Sequence, residues 1–160
     1  MTLAIRFLKA NQVFFIPHFY DYEEKGGTSA SAKALGVSEH QVIKTLIMET
    51  NQKQPLIVLM HGDQQVSTKE LARIIGVKQV TPCQPEIADK HSGYQVGGTS
   101  PFGTRKQMPV YMEESILSLE MIYINGGKRG FLIELSPQLA QELLHARLVH
   151  IGIASLDSKT

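Results

Sequence analysis

Residues 41–60, QVIKTLIMETNQKQPLIVLM, contain two apolar runs, IKTLIM and PLIVLM, which the polar segment ETNQKQ separates. Two such runs with a short polar break predict antiparallel strands joined as a hairpin. Because alternate residues of a strand share a face, Lys44 lies in line with Val42, Leu46 and Met48. We therefore expect a sheet built around this hairpin, with a cation in one of its central strands.

Helix signals lie on both sides of the hairpin. Thr2 is placed to cap a helix that extends to about Asn11. The segment SASAKAL (29–35) predicts a second helix that Gly36 ends. The capping box STKE (67–70) predicts the start of a third helix, which Gly76 ends. A proline in the first turn predicts a further helix over PQLAQELL (137–144).

The remaining apolar segments predict strands that cluster in hairpins. Pro17 makes the first of them an edge strand, because proline lacks the amide donor that a central strand needs. Hairpins without strict strand–helix alternation favour an α+β (mixed α/β) fold, and we expect one domain over 1–154 with a flexible tail at 155–160. The further strands are predicted over 13–22, 78–82, 94–96, 109–112, 120–124, 131–135 and 147–153.

The composition is that of a globular chain. Its 160 residues are 42% hydrophobic and 19% charged, with a net charge of +1, which argues against bulk attraction to nucleic acid or membrane. The single cysteine, Cys83, rules out a disulfide framework. No apolar run approaches the roughly 20 residues of a membrane span, and the six histidines form no metal-binding motif. We expect a cytoplasmic protein with no metal and no membrane association.

Residues 93–103, GYQVGGTSPFG, hold four glycines and a proline in eleven positions. The stretch is not a phosphate loop of the Walker type, because Thr104 stands where that loop needs lysine. It is not a nucleophile elbow either, because Ser100 precedes Pro101 and no Asp–His partnership is visible. Glycines let a backbone approach a ligand closely, and exposed amides can receive a developing oxyanion. On spacing alone, a glycine-rich turn between strands is the simpler interpretation.

Lys44 carries a second candidate chemistry. An unpaired buried ammonium is costly, so this side chain should face a wet cleft, where it could position an acyl carbonyl, a carboxylate or a phosphate. An amine that extends from the strand's start to solvent is the simpler alternative. Tyr20 could line a pocket or pack in the core. Cys83 has no histidine nearby in sequence and suits a buried filler better than a nucleophile.

Three segments together resemble the YbaK/EbsC family of aminoacyl-tRNA deacylases. They are QVIKTLI around Lys44, GYQVGGTSPFG at 93–103 and INGGKRGFLIEL at 124–135. The resemblance extends from Leu3 to about Ile151. It implies the fold that also serves as the editing domain of bacterial prolyl-tRNA synthetases, with a central, partly barrel-like mixed sheet flanked by helices. It further implies release of an amino acid wrongly attached to tRNA, with cysteine on tRNA(Pro) as the first expectation.

The resemblance also implies roles for particular residues. The family's essential lysine falls on Lys44, and its pocket tyrosine falls on Tyr20. The substrate's own thiol is expected to attack its ester, so no cofactor, metal or protein nucleophile is required. The resemblance gives the substrate-binding set as Tyr20, Gly97, Gly98, Thr99, Ser100, Pro101, Asn125 and Gly127. Three basic residues, Arg105, Lys128 and Arg129, are expected to hold the phosphates of the tRNA CCA end, although solvated turn charges explain them equally well.

Two positions depart from the family pattern. The family often carries serine where this chain has Asn125 and aspartate where it has Leu132. Both changes affect the expected pocket, so alanine, serine or threonine remain alternative amino acids, and a non-catalytic module that binds tRNA or a synthetase remains an alternative function. Because the net charge is only +1, we expect weak intrinsic affinity for RNA and prolyl-tRNA synthetase as a possible partner.

Overall fold

The computed structural model of the chain describes residues 1–155, which form five α-helices and ten β-strands. The helices are α1 (Leu3–Ala10), α2 (Gly27–Leu35), α3 (Thr68–Ile75), α4 (Pro85–Ser92) and α5 (Pro137–Leu144). The strands are β1 (Ile16–Phe19), β2 (Val42–Thr50), β3 (Pro55–His61), β4 (Gln64–Val66), β5 (Val80–Pro82), β6 (Val110–Glu113), β7 (Ile122–Lys128), β8 (Phe131–Leu135), β9 (Arg147–Val149) and β10 (Gly152–Ala154). Short 3-10 turns, Glu39–Gln41 and Glu114–Ser118, precede β2 and follow β6.

The predicted hairpin lies in the middle of one mixed sheet. Strands β2 and β3 pair antiparallel, and the hydrogen-bonded order is β1-β8-β7-β2-β3-β6-β9, with β5 beside the far end of β2. The pairs β2–β7, β3–β6 and β6–β9 are parallel. A separate antiparallel ladder joins β4 to β10. The expected mixed sheet with flanking helices is confirmed; its two end strands, β1 and β9, do not pair with each other within residues 1–155.

Three apolar cores surround β2. Ile43 and Ile47 point into the main core, which α1 and α5 cover. On the opposite face Val42 packs with Leu132 and α2, while Met48 packs with α3. Lys44 shares the face of Val42 and Met48, as the alternation predicts, so it lies between the two smaller cores and not inside one.

The helices begin and end at the predicted signals. The Thr2 and Ser67 hydroxyls accept hydrogen bonds from the first turns of α1 and α3, and the Ser136 hydroxyl does so for α5, where Pro137 is the first residue. Gly36 ends α2 and Gly76 ends α3. These caps satisfy amides that would otherwise lack a partner at the helix starts.

Several predicted bounds are wrong. Residues 94–96 are not a strand, because the amide of Gly98 donates to the Gln95 carbonyl and closes a turn there. The apolar stretch 13–22 forms a strand only at β1, which is the edge strand that Pro17 indicated. The predicted final strand is divided into β9 and β10, and β4 was not predicted. Residues 156–160 of the expected tail lie outside the described residues.

Within residues 1–155, no helix combines the length and the apolar character that crossing a membrane requires.

Candidate functional site

The candidate site lies where the parallel strands β2 and β7 separate. They pair only at Val42–Tyr123 and Ile43–Ile124. Beyond those two pairs β2 continues with β3 and β5, while β7 turns into its hairpin with β8. Because both strands run in the same direction, the residues that follow the last pair face each other across a crevice, as at the carboxyl ends of other open α/β sheets.

A cavity of about 170 Å³ occupies this crevice, and we call it the Lys44 cleft. Its walls come from β2, from the segment around β1 and α2, from the glycine-rich loop and from β7 and β8. The lining residues are Tyr20, Tyr22, Glu23, Gly27, Thr28, Ala30, Ser31, Val42, Ile43, Lys44, Thr45, Gly97, Thr99, Asn125 and Leu132.

Lys44 is half-buried at one side of this cleft. Its Nζ donates a hydrogen bond of 2.5 Å to the backbone carbonyl of Gln64 in β4. Burial lowers the pKa of Lys44, and the carboxylates of Glu39 and Asp63 act in the opposite direction. The amine therefore has one fixed acceptor and is held in a partly desolvated place, where a charge acts more strongly than in bulk water.

The glycine-rich loop forms the opposite wall. Gly97 has a φ of +89°, and Gly98 is buried so closely against the β7–β8 turn that an added Cβ would lie 2.7 Å from backbone atoms of Lys128 and Arg129. The amide of Gly98 is bound within the loop, 2.7 Å from the Gln95 carbonyl oxygen. Gly98 therefore positions the loop, and its amide is not free to receive a ligand.

Asn125 joins the loop to the β7–β8 turn. Its amide nitrogen donates to the carbonyls of Gly97 (3.3 Å) and Lys128 (3.2 Å). Its side-chain oxygen accepts from the amides of Gly127 (2.6 Å) and Lys128 (3.1 Å). Asn125 thus clamps Gly97 at the edge of the Lys44 cleft.

Thr45 follows Lys44 and points to the other side of β2. Its Oγ1 is buried and has no hydrogen-bond partner among the described residues. A buried hydroxyl without a partner is unusual, and a ligand in the cleft can supply one. Sequence reasoning missed Thr45, although a hydroxyl inside an otherwise apolar strand was a visible signal.

An adjoining groove of about 430 Å³ shares Lys44, Thr45 and Thr99 with the cleft. Its walls are largely apolar and come from β2, β4, β5 and the start of α4. Lys44 and Thr45 therefore stand at the junction of a small cavity and a larger groove.

Tyr20 lies on the cleft wall with Tyr22. Burial raises the pKa of Tyr20, and a hydrogen bond with the Ser31 side chain acts the other way. The guanidinium of Arg129 lies 5.0 Å from the centre of the Tyr22 ring, and its Nε donates to the Val96 carbonyl at 3.0 Å. Arg129 is therefore fixed at the rim.

Several expected site residues do not face the Lys44 cleft. Ser100 is buried and its hydroxyl accepts from the Phe102 amide. Pro101 lines a different cavity, against Phe7. Gly127 packs against Thr2 and Tyr94. These three residues support the loop and the turn from behind.

The three basic residues do not form one cluster. Lys128 lies 5.8 Å from the centre of the Phe19 ring and 5.7 Å from that of Phe131, on the opposite face of the sheet from Leu132. Arg105 is exposed beside Gly93, and its amide donates to the Ser92 carbonyl. Of the three, Arg129 is the one whose side chain contacts a residue lining the cleft, namely Tyr22.

Cys83 lines the adjoining groove but is a poor nucleophile. Burial, together with its hydrogen bond to Glu49, raises the pKa of its thiol to about 12. A thiol with that pKa is protonated near neutral pH, and the thiolate is the reactive form.

His40, His61 and Asp63 lie close enough together to suggest a metal site. However, the Nδ1 of His61 faces the His40 carbonyl and its Nε2 faces the Ser115 hydroxyl, each at 2.8 Å. The His40 and His61 rings stack in parallel with centres 3.7 Å apart. Both nitrogens of His61 are thus occupied, and the cluster offers no converging set of three ligands.

The arrangement defines a class of protein: a small α/β domain with a cavity between a half-buried lysine and a glycine-rich loop. The chain belongs to the aminoacyl-tRNA editing domain family, whose model matches residues 23–143.

Named relatives agree with this membership. The chain is 30% identical over 151 residues to "Putative Cys-tRNA(Pro)/Cys-tRNA(Cys) deacylase EbsC" of Enterococcus faecalis. The match covers 94% of this chain and 92% of that protein. It is also 31% identical over 106 residues to the proline–tRNA ligase of Thermodesulfovibrio yellowstonii. That match covers 66% of this chain but 18% of the ligase, so the chain corresponds to one part of the larger enzyme.

Solved structures show the same fold. The "hypothetical protein APE2540" superposes with a TM-score of 0.87 at 23% identity, covering 94% of this chain and 99% of that one. A "putative trans-editing enzyme for prolyl tRNA synthetase" superposes with a TM-score of 0.85 at 19% identity, covering 96% and 99%. At these identities the likeness concerns the fold.

Proposed function

We propose that this protein removes a wrongly attached amino acid from tRNA by cleaving the aminoacyl ester in the Lys44 cleft. The observation that carries the proposal is the convergence of the Lys44 amine and the glycine-rich loop on one cavity, within a chain of the editing family. Editing serves a physical need, because apolar pockets separate amino acids of similar size by only about 1–3 kcal/mol.

The size of the cleft supports a small aminoacyl group. A cavity of about 170 Å³ is close to the size that holds a benzene molecule, for which about 150 Å³ suffices. Cysteine on tRNA(Pro) is our first choice, because the relative from Enterococcus faecalis carries that substrate in its name. Alanine, serine and threonine would also fit by size.

The ester dictates how the rest of the substrate lies. Lys44, Thr45 and Thr99 line both the Lys44 cleft and the adjoining apolar groove, so we assign the terminal nucleoside to that groove. Arg129 is held at the rim by its contacts with Tyr22 and Val96, and we assign it to a phosphate of the CCA end.

The chain's residues would act by positioning and by charge. The Lys44 ammonium would hold the acyl carbonyl or the terminal nucleotide, and the loop would keep the ester bent. With a cysteinyl substrate, the sulfur would bond to the carbonyl carbon and form a thiolactone while the ester C–O bond breaks. The proton lost by the thiol would balance the proton that the leaving ribose oxygen takes up. Holding two reacting groups in attack geometry supplies much of the rate in such reactions.

A panel of tRNAs charged with cysteine, alanine, serine or threonine tests this function. We expect the native protein to release cysteine from tRNA(Pro) fastest. We expect Lys44→Met to lower kcat by about 10²–10³-fold, which is the usual loss on removing one group that stabilises developing charge. Lys9→Met is the matched control: it makes the same change at an exposed lysine in the last turn of α1 and should keep the native rate.

Two outcomes would contradict the proposal. Unchanged turnover in Lys44→Met would remove the lysine from the mechanism. Binding of tRNA without release of any of the four amino acids would favour a second candidate, a non-catalytic binding module. Leu132 favours that candidate, because it gives the cleft a buried apolar wall where a carboxylate could have held the substrate's amine.

A further inference from the structure

Glu113 is a buried carboxylate that does not line the Lys44 cleft, and the proposed function does not use it. Its side chain lies at the end of β6 and is 1% exposed. Burying a charge is costly unless it is paired or hydrogen-bonded, so its position needs an explanation.

Its hydrogen bonds show what Glu113 holds. One carboxylate oxygen, Oε1, accepts from the amides of Ile151 (2.8 Å) and Gly152 (2.7 Å). The other oxygen accepts from Ser115 and lies 3.5 Å from the Nδ1 of His150. The carboxylate therefore binds the backbone at the point where the chain leaves β9 and begins β10.

This turn directs β10 onto β4. Strand β9 ends beside β6, where Val149 pairs with Glu113 itself. After the turn, Gly152, Ile153 and Ala154 pair with Val66, Gln65 and Gln64, and the Ser67 amide donates to the Ile151 carbonyl. The link is close, since an added Cβ on Gly152 would lie 2.3 Å from the Gln64 side chain and 3.2 Å from Glu113.

Strand β4 in turn carries the acceptor of the lysine. The Gln64 carbonyl oxygen accepts a hydrogen bond of 2.5 Å from the Lys44 Nζ. A continuous series of contacts thus leads from the Glu113 carboxylate through the turn and the β10–β4 ladder to the Lys44 amine.

We propose that Glu113 and β10 are a positioning support for Lys44: they fix the Gln64 carbonyl and so the place of the amine. This inference rests on the proposed function for its kinetic consequence. It assigns a role in the reaction to a strand that lines no part of the Lys44 cleft.

Two matched pairs of variants test the support. Glu113→Ala removes the acceptor of both turn amides, whereas Glu113→Gln keeps an oxygen in its place. Ile153→Pro removes an amide from the middle of β10, whereas Ile153→Ala keeps it. Ile153 is 49% exposed, so neither change at that position disturbs the core.

We expect Glu113→Ala and Ile153→Pro to lower kcat for deacylation at least about tenfold with KM nearly unchanged, while each partner variant stays near the native kcat. If Glu113→Ala fails to fold, the pair at Ile153 decides alone. A rise in KM without a fall in kcat would overturn the proposal. Hydrogen exchange checks that the β4–β10 ladder is open in Ile153→Pro. If the ladder is open and kcat is still equal in Ile153→Pro and Ile153→Ala, the proposal is overturned as well.

A second measurement needs no tRNA. Acetic anhydride labels lysine amines, and peptide mass spectrometry compares Lys44 with Lys9 of α1 in the same molecule. Loss of the carbonyl acceptor destabilises the ammonium form, so Lys44 should label at least threefold faster in Ile153→Pro than in Ile153→Ala. Equal labelling would overturn the support even if the native protein deacylates tRNA, and faster labelling would uphold it even if no aminoacyl-tRNA were a substrate.

Discussion

Two polar groups of residues lie on neighbouring strands of the same hairpin, and they differ in how their hydrogen bonds are satisfied. On β3, His61 is fully buried and both of its ring nitrogens are bound. On β2, Thr45 has a buried hydroxyl with no partner among the described residues, and Lys44 has one acceptor beside an open cavity. A satisfied group holds the fold, whereas an unsatisfied one beside a cavity is available to a ligand.

After Lys44 itself, the largest effect on the side of the open cavity is expected at Gly98, in the loop that faces Lys44 across the cleft. Gly98→Ala places a Cβ 2.7 Å from the β7–β8 backbone, which must push the loop away from the turn and widen the Lys44 cleft. A displacement of about 1 Å can cost about 10²-fold in rate, so we expect a loss of that size in kcat. Deacylation kinetics measure it, and Thr104→Ala, at the partly buried residue that follows the loop, is the control. A native rate in Gly98→Ala would show that the loop does not shape the site.

Thr45→Val should lower activity without lowering stability. The change keeps the shape and removes the hydroxyl, so the rate should fall about tenfold, equivalent to about 1.4 kcal/mol, if the substrate is its partner. The free energy of unfolding should stay the same or rise, because an unsatisfied buried group costs about 1–3 kcal/mol. Kinetics and urea unfolding measure the two effects, with Thr45→Ser as the variant that keeps the hydroxyl. A loss of stability with native activity would show that Thr45, like His61, serves the fold and not the substrate.

Ser115→Ala should show the opposite pattern. It removes the partner of the buried His61 Nε2, so we expect a loss of about 1 kcal/mol in the free energy of unfolding. Activity should stay within about twofold of native, because the Glu113 oxygen that binds Ile151 and Gly152 keeps both amides. Urea unfolding and steady-state kinetics on one preparation check both results. A large loss of activity at full stability would show that the satisfied residues around His61 also take part in the reaction, which contradicts the comparison.

The smallest effect concerns the pH dependence. The Asp63 carboxylate raises the pKa of Lys44 against the lowering by burial. Asp63→Asn therefore lowers that pKa further, and the alkaline decline in activity should begin at a lower pH than in the native protein. Glu120→Gln, an exposed acid elsewhere, should leave the profile unchanged. A shift to higher pH, or none, would show that the charge of Lys44 does not govern the decline.

The sequence predicted the hairpin, the helix ends and the position of Lys44 well, because each depends on local signals: alternation along β2, hydroxyl caps, and glycines after helices. The wider site was harder to predict. Nothing local shows that Asn125 would clamp Gly97, or that Gly98 would use its amide within the loop and lean on the β7–β8 turn. Those contacts arise because β2 and β7 separate after two pairs, which is a property of the whole sheet.

The same limit explains the basic residues. Lys128 and Arg129 are neighbours in sequence, but their side chains lie on opposite faces of the sheet end formed by β1, β8 and β7. Lys128 lies over Phe19, whereas Arg129 lies over Tyr22. The spacing of charges in a loop does not reveal on which side of a sheet each one emerges. The pairing of β10 with β4, almost ninety positions earlier, was missed for a similar reason.

The brief parallel pairing of β2 with β7 also has a consequence for synthesis. Lys44 and Asn125 stand about half the chain apart, and parallel neighbours meet only after the intervening polypeptide has closed a long loop. A nascent chain that has emerged from the ribosome as far as β6 has the hairpin but no crevice beside it. The crevice would therefore form late, when β7 inserts next to the finished hairpin, and the support that β10 gives to Lys44 would follow later still.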